Sequence, residues 1–411
     1  MKKFLIARVL FTVIVLFGSF TAFNQKYKRI HFGSILIDTH NDIPSATIEK
    51  KVQFDTDLKG KTHSDLARMK EGGVDAQIFS IFCGPEQEQP YAFANREIDS
   101  VYAWVKRNPE KMMLVKTPGE LKLALKKKKI ASLLGVEGGH MIEDKIENLE
   151  KLFERGARYM TLTWNNSTSW ATSAADETAP SNPIAIGSPP SAGGETSEDS
   201  VMKKGLTDFG KQIVRRMNEL GMIIDVSHVG EQSFRDAMSI TTKPVIASHS
   251  NVWTLCPHRR NLKDYQIKAI AKNGGVIHLN FYVGFIDSTY DRKVFSFIHE
   301  HSIEIDSLIR DGAQPDYARM MIMEKYSSEI SDARPPLSML MDHLDFIVKL
   351  VGADHVGMGS DFDGISFAPR ELNGVEDFPL ITKALLERGY SKKDIRKILG
   401  GNFIRVFRAN Q

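Results

Sequence analysis

The stretch GLTDFGKQIVRRMNELGMIIDVSHV, residues 205–229, combines a helical pattern with a strand that ends in histidine. After Thr207 its apolar residues recur at three- and four-residue spacing, and Gly221 lies just past the last of them, which predicts an amphipathic helix with a glycine at its end. The run 222–227 predicts a buried strand, and His228 follows it. A helix that leads into a buried strand is typical of a parallel α/β sheet.

Seven further apolar runs extend this pattern along the chain, with amphipathic helical segments between them, for example at 145–155 and 391–407. The eight predicted strands are 36–38, 74–82, 131–136, 159–164, 222–227, 245–248, 275–281 and 355–359. Eight strands that alternate with helices favour a closed (β/α)8 TIM barrel over an open doubly wound sheet.

Two segments interrupt the alternation. Residues 173–200 are rich in Ser, Thr, Ala, Gly and Pro and follow the fourth strand, so they predict a loop insertion beside the active-site end of a barrel, either a lid or a disordered insertion. Residues 287–330 are charged and helical in pattern, which predicts a helical excursion before the eighth strand. Neither segment marks a domain boundary, so 26–411 is predicted to be one domain.

Residues 1–25 differ from the rest, because Lys2, Lys3 and Arg8 precede an apolar run at 9–23. This is the pattern of an export signal, and it predicts a protein of the cell envelope, the periplasm or the exterior. The run is short for a membrane span, yet no clear cleavage site follows it. A cleaved signal peptide and an uncleaved membrane anchor both remain open.

Composition narrows the class of protein. The 411 residues are 42% hydrophobic and 26% charged, which is ordinary globular usage. A net charge of +3 does not favour a nucleic-acid partner, and the lysines at 126–129 are interpreted as a solvated helix end. Cys83 and Cys256 are the two cysteines, either buried thiols or, in an exported protein, a disulfide.

Side chains that bind metals follow five of the predicted strands. They are His40, Asp42, Glu137, His228, His249 and Asp361. His40 and Asp42 are two residues apart at a strand end, so both project to one face. A buried carboxylate needs a partner, and Glu137 has two oxygens with which it can bridge two ions. Neutral imidazole is a usual zinc ligand, and Asp361 beside a metal-bound water could act as general base. The sequence therefore predicts a metallohydrolase.

These segments closely resemble the membrane, or renal, dipeptidase family over 36–407. The shared motifs are DTHNDIP at 38–44, GVEGGH at 135–140, RYMTLTW at 158–164, residues 205–229, PVIASHS at 244–250, RRN at 259–261, VGMGSDFDG at 356–364 and GGNFIRVF at 400–407. The resemblance implies a distorted (β/α)8 barrel that hydrolyses dipeptides with two zinc ions per chain.

The resemblance also assigns roles. His40 and Asp42 match the ligands of one zinc ion, and His228 and His249 match those of the other. Glu137 matches the bridging carboxylate, which makes it a catalytic residue together with Asp361, the acid-base residue. The implied mechanism is attack on the peptide carbonyl by a hydroxide that bridges the two ions. Arg260 matches the arginine that holds the terminal carboxylate of the dipeptide, although a surface ion pair would be the ordinary interpretation of an isolated RRN motif.

The substrate pocket departs from the animal enzymes at two positions. Trp164 replaces a histidine that helps to stabilise the tetrahedral intermediate, and an indole offers one hydrogen bond and no positive charge. Ser45 replaces a tryptophan, so the side-chain pocket is expected to differ. Trp164 and Tyr282, together with Arg260 and Asp361, are our candidates for substrate contacts.

The predicted function is thus a zinc-dependent dipeptidase acting on L,L and L,D dipeptides. The alternatives are another amide or lactone hydrolase on the same bimetal centre, or a non-catalytic peptide-binding envelope protein. The presence of all six metal-site residues argues against a non-catalytic protein, and Trp164 is the one feature in its favour. The resemblance leaves open a homodimer and membrane association through the amino-terminal segment.

Overall fold

The computed structural model describes residues 25–177, 205–313 and 315–411, with the backbone alone at 315–317. The predicted export signal and most of the loop predicted at 173–200 therefore lie outside the described residues. Within the described ranges, no helix combines the length and the apolar character that crossing a bilayer requires.

The described chain contains nine β-strands, and all of their pairings are parallel. They are β1 (Leu36–Asn41), β2 (Val74–Ile81), β3 (Met112–Leu114), β4 (Ile130–Val136), β5 (Ala157–Thr161), β6 (Ile223–Asp225), β7 (Ile246–Ala247), β8 (Val276–Leu279) and β9 (Val356–Met358). Eight of them close into a barrel in the order β2, β1, β9, β8, β7, β6, β5 and β4, and β4 pairs with β2 to complete the ring.

Each of the eight predicted strands overlaps one strand of this ring, which confirms the predicted (β/α)8 barrel. The short β3 is additional. It pairs with the first residues of β4, where Met112 lies beside Ile130 and Leu114 beside Ser132, and it stays outside the ring. Its three residues are too few to give a periodic signal. The strand at 36–38 was predicted too short, since β1 continues to Asn41.

Helices surround the barrel and also form the predicted excursion. In the described chain they are residues 25–31, α1 (Ile43–Glu49), α2 (Leu66–Glu71), α3 (Pro90–Arg107), α4 (Pro118–Lys126), α5 (Ile146–Arg155), α6 (Ala174–Glu177), α7 (Asp208–Leu220), α8 (Glu231–Ile240), α9 (Asp264–Lys272), α10 (Tyr290–Glu300), α11 (Ser302–Arg310), α12 (Pro315–Lys325), α13 (Ser327–Ile330), α14 (Leu337–Val351), α15 (Phe378–Glu387), α16 (Lys392–Arg396) and α17 (Asn402–Asn410). Shorter 3₁₀ turns occupy Gly139–Ile142, Val283–Phe285, Ser331–Ala333, Ala353–His355 and Val375–Asp377, and a π-helical turn at Lys397–Gly401 joins α16 to α17.

Helix α7 forms where the opening motif predicted a helix. The Thr207 side chain accepts a hydrogen bond from the Gly210 backbone N–H, which satisfies one of the free donors of the first turn. At the other end Gly221 has a φ of +81°, a conformation that glycine adopts without a side-chain clash. The helix buries Ile213 and Met217 against the barrel and delivers the chain to β6.

Helices α10 to α13 form the predicted excursion between β8 and β9. They have an apolar cluster of their own, which includes Tyr290, Phe297 and Ile322. An ion pair of 3.1 Å between Lys50 and Glu324 connects α12 to the segment that follows α1. The excursion therefore packs beside the carboxyl-terminal end of the barrel.

The two ends of the barrel differ in chemistry. At the end where the strands begin, α17 packs Phe403, Val406 and Phe407 against strand residues such as Ile37 and Ile246. At the end where the strands finish, buried polar side chains gather instead. Enzymes with this fold carry their chemistry at the carboxyl ends of the strands.

Both cysteines, Cys83 and Cys256, are buried and free. The interpretation as buried thiols is therefore confirmed, and the alternative of a disulfide between them is wrong.

Candidate metal centre

Strand β1 and the residue that follows it supply the first predicted ligand pair. His40 is fully buried, Asp42 is 3% exposed, and 3.4 Å separates His40 Nε2 from Asp42 Oδ2. The Asp42 backbone N–H donates a 2.9 Å hydrogen bond to the carbonyl of Phe362, in the segment after β9. The first and last strands of the barrel thus hold this pair together.

Glu137 follows β4 and lies between the two predicted ligand pairs. Its Oε2 is 3.4 Å from His40 Nε2, whereas its Oε1 is 2.9 Å from His228 Nε2 and 3.3 Å from His249 Nε2. One carboxylate therefore presents one oxygen to each pair. This is the arrangement that a carboxylate shared by two cations requires.

The second pair follows β6 and β7. The Nε2 atoms of His228 and His249 are 2.9 Å apart. His228 has a φ of +63°, a left-handed backbone that is uncommon outside glycine and that recurs at functional sites. The ring of His249 also lies 3.8 Å from the ring of His40, so all three imidazoles meet around Glu137.

The outer nitrogen of each imidazole faces an oxygen. His40 Nδ1 lies 2.8 Å from the Tyr159 hydroxyl, which itself donates to the Thr39 carbonyl. His249 Nδ1 lies 2.7 Å from the Ser248 hydroxyl, which itself donates to Asp225. His228 Nδ1 lies 3.0 Å from the side-chain oxygen of Asn165.

These contacts fix the tautomers. The Tyr159 and Ser248 hydroxyls donate their protons to other acceptors, and the Asn165 side-chain oxygen has no proton to donate. The Nδ1 atom of each histidine is therefore the hydrogen-bond donor, so each neutral ring keeps a lone pair on Nε2. When all three rings are neutral, three lone pairs and the Glu137 carboxylate converge with no proton between them. Such a donor set repels itself unless a cation neutralises it, so these residues fit a metal ion.

The electrostatics agree with this fit. Burial lowers the pKa of His228 to about 3, with Arg260 adding to the effect, and burial and the charge of His40 lower the pKa of His249 well below its usual value. Burial also acts to lower the pKa of His40, but Tyr159, Glu137 and Asp42 outweigh it and hold that pKa well above the usual value. The site therefore keeps two rings neutral and attracts positive charge at the third.

Asp361 follows β9 and faces the first pair. One oxygen of Asp361, one oxygen of Asp42 and a ring nitrogen of His40 all lie within 4.8 Å of one another. Asn280, just after β8, donates to Asp361 Oδ2 at 2.7 Å. Burial and the nearby charge of Asp42 raise the pKa of Asp361 well above its ordinary value. Asp361 has a φ of +61°, as strained as the backbone of His228.

A glycine makes room for these carboxylates. A Cβ at Gly364 would lie 2.3 Å from Asp42 Oδ2 and 2.8 Å from Asp361 Oδ1, so a side chain there would displace at least one of the two carboxylates. Asp363, the other carboxylate of the GSDFDG motif, turns away and accepts a 2.7 Å hydrogen bond from the His63 backbone. Only Asp361 of the two reaches the centre.

Arg260 is buried beside the second pair. It is 5% exposed, its Nη2 donates to the carbonyl of His249 at 3.3 Å, and its guanidinium lies over the ring of Phe285. Its Nε and Nη1 have no hydrogen-bond partner among the described residues. Burial lowers the pKa of Arg260 to about 10, so the group stays charged at neutral pH. The ordinary interpretation of a surface ion pair is therefore wrong, and the guanidinium has donors left for an anion.

The remaining substrate candidates lie at different depths. Trp164 is partly exposed, and its ring is 4.9 Å from that of Phe82 and 6.2 Å from that of His228, which places it at the centre. Tyr282 packs its ring against that of Phe285, and the Arg260 guanidinium lies over the same Phe285 ring. Ser45 is buried in α1, and its hydroxyl donates to the carbonyl of Asp42 at 2.9 Å.

Sequence reasoning missed the residues that orient these groups, namely Tyr159, Asn165, Asp225, Ser248 and Asn280. Asn280 lies near the end of the predicted strand 275–281 and directly follows β8, so the rule that gave the candidate ligands could have found it as well. No sequence signal identifies the partner of Tyr159, because that contact joins two strands far apart in the chain.

A closed barrel with imidazoles and carboxylates converging at the carboxyl ends of its strands defines a metal-dependent hydrolase. The model of the membrane dipeptidase family, peptidase family M19, matches residues 24–411. The chain therefore belongs to the membrane dipeptidase family, whose members are metal-dependent dipeptidases.

Solved structures share the fold. The probable dipeptidase PvdM from Pseudomonas aeruginosa matches with a TM-score of 0.73 and 22% identity, over 95% of this chain and 99% of that chain. A metallopeptidase from Rhodobacter sphaeroides, liganded with a phosphinate mimic of the dipeptide L-Ala-D-Ala, matches with a TM-score of 0.70 and 22% identity, over 92% of this chain and 100% of that chain. An amidohydrolase from Pseudomonas aeruginosa matches with a TM-score of 0.67 and 20% identity, over 93% of this chain and 98% of that chain.

Proposed function

We propose that this protein is a zinc-dependent dipeptidase that holds two metal ions per chain. The observation that carries the proposal is the position of Glu137, whose two oxygens face two separate ligand pairs. His40, Asp42 and Glu137 would hold one ion, and His228, His249 and Glu137 would hold the other. Nitrogen and carboxylate donors of this kind suit zinc, although they accept other first-row ions as well.

The chemistry divides between the ions and the chain. When bound, two such ions lower the pKa of water from about 16 to about 7 and polarise a carbonyl group. Asp361 takes the proton of the attacking water and passes it to the amine that leaves. Asn280 engages Oδ2 of Asp361, which leaves Oδ1 to carry that proton. The raised pKa of Asp361 makes its carboxylate a stronger base than a free aspartate, which suits a group that must accept a proton and then release it.

Arg260 would hold the terminal carboxylate of the substrate. Its buried guanidinium has unpartnered nitrogens and lies beside His249, so an anion bound there is adjacent to the second ligand pair. A charge-assisted hydrogen bond in a buried site is stronger than one between neutral groups. This anchor fixes the distance from the free carboxylate to the scissile bond at one residue.

Recognition through the two ends of the substrate would give little selectivity for the side chain or the configuration of the second substrate residue. We therefore propose that both L,L and L,D dipeptides are hydrolysed, and the L-Ala-D-Ala mimic bound to the Rhodobacter sphaeroides relative supports this choice. Trp164 and Tyr282 would line the pocket. Trp164 cannot supply the positive charge of the family histidine, so the oxyanion would depend more on the metal centre.

Assays of the purified protein on L,L and L,D dipeptides, with elemental analysis of the same sample, test the proposal. Turnover that chelation abolishes and zinc restores is the expected result. Hydrolysis of lactones or simple amides in preference to dipeptides would favour the other bimetal hydrolase. Peptide binding without turnover in zinc-loaded protein would favour a non-catalytic binding protein, the reading that Trp164 alone supports.

We also propose that residues 1–25 direct the chain to the cell envelope, as a cleaved signal or as an anchor. The basic residues before the apolar run support this. Mass spectrometry of the protein from its native host would distinguish the two, because a cleaved chain lacks Lys2 and Lys3. Light scattering of the same material would decide whether a homodimer forms.

A further inference from the structure

The amino-terminal face of the barrel lies opposite the metal centre. We use this name for the end at which the strands begin, including helix 25–31 and helices α16 and α17. Helix 25–31 buries Tyr27, Ile30 and His31. His31 fixes the helix to the barrel, since its ring nitrogens lie 2.7 Å from the Thr382 hydroxyl and 2.8 Å from the Gly72 carbonyl. The first described residues are therefore firmly part of this face.

The outer side of the face combines cations with exposed apolar residues. Lys26, Lys28 and Arg29 are exposed on helix 25–31. Directly after the helix, Phe32 is 56% exposed and Ile35 is 36% exposed. An exposed aromatic ring beside a row of cations is an unfavourable surface in water but a suitable one at a lipid interface.

More lysines lie around this point. Arg396 donates to the carbonyl of Gly33 at 3.4 Å, so α16, with exposed Lys392 and Lys393, borders the same loop. Lys127 and Lys128 are exposed just before β4, which is separated from β1 by β2 alone. Neighbouring strands are about 4.8 Å apart, so the beginning of β4 lies roughly 10 Å from the beginning of β1, which the Phe32 loop precedes.

Acidic residues do little to neutralise this face. Within the described ranges, none of Lys26, Lys28, Lys127, Lys128, Lys392 and Lys393 makes an ion pair. Most acidic residues at the same end face other groups there, Glu110 facing Lys129, Asp354 and Asp394 facing Lys397, and Asp75 accepting from the Leu36 backbone N–H. Glu71 is exposed. The surplus of positive charge is therefore carried by side chains that are free to bind an anionic partner.

We propose that the amino-terminal face docks on the headgroups of an anionic bilayer, with Phe32 and Ile35 entering the interface and the metal centre facing away. The sequence selects this partner, because the apolar run 9–23 ends two residues before helix 25–31. A chain spans at most about 3.6 Å per residue, so a bilayer that holds the run lies within about 11 Å of Lys26, which is close to the Debye length of about 8 Å. The proposal does not depend on the dipeptidase activity.

The test uses the full chain reconstituted into vesicles of phosphatidylcholine alone or with phosphatidylglycerol. A fluorophore on Phe32→Cys reports docking by energy transfer to a labelled lipid, and Cys83 and Cys256 do not compete because both are buried. Each basic residue near an anionic surface changes the docking equilibrium about fivefold. We expect docking on the anionic vesicles, and Lys392→Gln with Lys393→Gln should lower the ratio of docked to undocked protein roughly 25-fold.

The matched control is Arg292→Gln with Arg310→Gln, which removes two exposed charges from α10 and α11 at the opposite end and should leave docking unchanged. Thermal unfolding would confirm that both variants are folded. Equal energy transfer in neutral and anionic vesicles would overturn the proposal. So would an equal loss in the control variant, or a full chain that fails to float with either kind of vesicle.

Discussion

The hydroxyl of Tyr159 accepts a hydrogen bond from Nδ1 of His40 at 2.8 Å and donates a hydrogen bond to the Thr39 carbonyl at 3.1 Å. This contact crosses the inside of the barrel from β5 to β1. It fixes both the orientation of the His40 ring and the nitrogen that keeps the lone pair. Partners of this kind typically contribute 10- to 100-fold to metal affinity.

Tyr159→Phe should therefore weaken metal binding by about 10- to 100-fold with little change in the fold, because only the acceptor of the His40 proton is lost. Competition with a chromophoric chelator would measure the affinity. Tyr102→Phe removes a hydroxyl that donates to the Arg155 carbonyl on the outside of the barrel, and it should bind metal normally. Equal losses in both variants would show that Tyr159 acts through stability alone.

Two metal ions per chain are expected at full activity, since one ion would leave either the His40 pair or the His228 pair unused. Glu137→Gln should lower the stoichiometry as well as the rate, because an amide cannot share its two ends between cations. Elemental analysis against titrated activity would settle the number. Full activity at a stoichiometry near one contradicts the role that we assign to Glu137.

Asp361→Asn should keep both ions yet lose roughly 10²- to 10⁴-fold in kcat, because the amide preserves the shape but cannot carry the proton. Asp363→Asn is the control. Burial raises the pKa of Asp363 to about 7, and its Oδ1 accepts from the His63 backbone, so an amide there should be tolerated. Loss of metal from Asp361→Asn would instead indicate that Asp361 is a metal ligand. The geometry allows this alternative, because Asp361 lies within 4.8 Å of the candidate ligands His40 and Asp42.

Asn280→Ala should shift the pH profile. The Asn280 hydrogen bond acts to lower the pKa of Asp361 by favouring the carboxylate. Without that bond the pKa of Asp361 rises, so the acidic limb of kcat/KM should move to higher pH while the plateau rate changes less. Rates measured across the pH range on one dipeptide would check this. An unshifted limb with a uniformly lower rate would indicate that Asn280 only supports the local structure.

Arg260→Ala should raise KM for dipeptides far more than it lowers kcat, as the loss of uniform binding does. Arg259→Ala is the matched control, because Arg259 is exposed next to the buried Arg260. Dipeptides amidated at the carboxyl end and tripeptides should be poor substrates of the wild type. Efficient hydrolysis of the amidated dipeptides would show that another group anchors the substrate.

Local patterns in the sequence predict the barrel and the candidate ligands because most of the strands are short apolar runs with a polar side chain at or near the end. That rule predicted that His40, Glu137, His228, His249 and Asp361 gather at one end of the barrel, and in the structure each lies within three residues of the carboxyl end of its strand. It failed for β3, whose three residues pair only with the beginning of β4. It also gave no partner for Tyr159 or Asn165, because such contacts depend on how distant strands are aligned in the closed barrel.

The order of the strands has a consequence for synthesis. The last strand, β9, lies between β1 and β8, and the Ser360 hydroxyl and backbone N–H bind Asp38 across a separation of 322 residues. A ribosome has therefore produced the candidate metal ligands His40, Asp42, Glu137, His228 and His249 before the strand that seals the ring exists. A chain that stops early, by a premature stop codon or a stalled ribosome, lacks both the seal and Asp361. We therefore expect only the full-length chain to hydrolyse substrate, and we expect prematurely terminated fragments to be inactive.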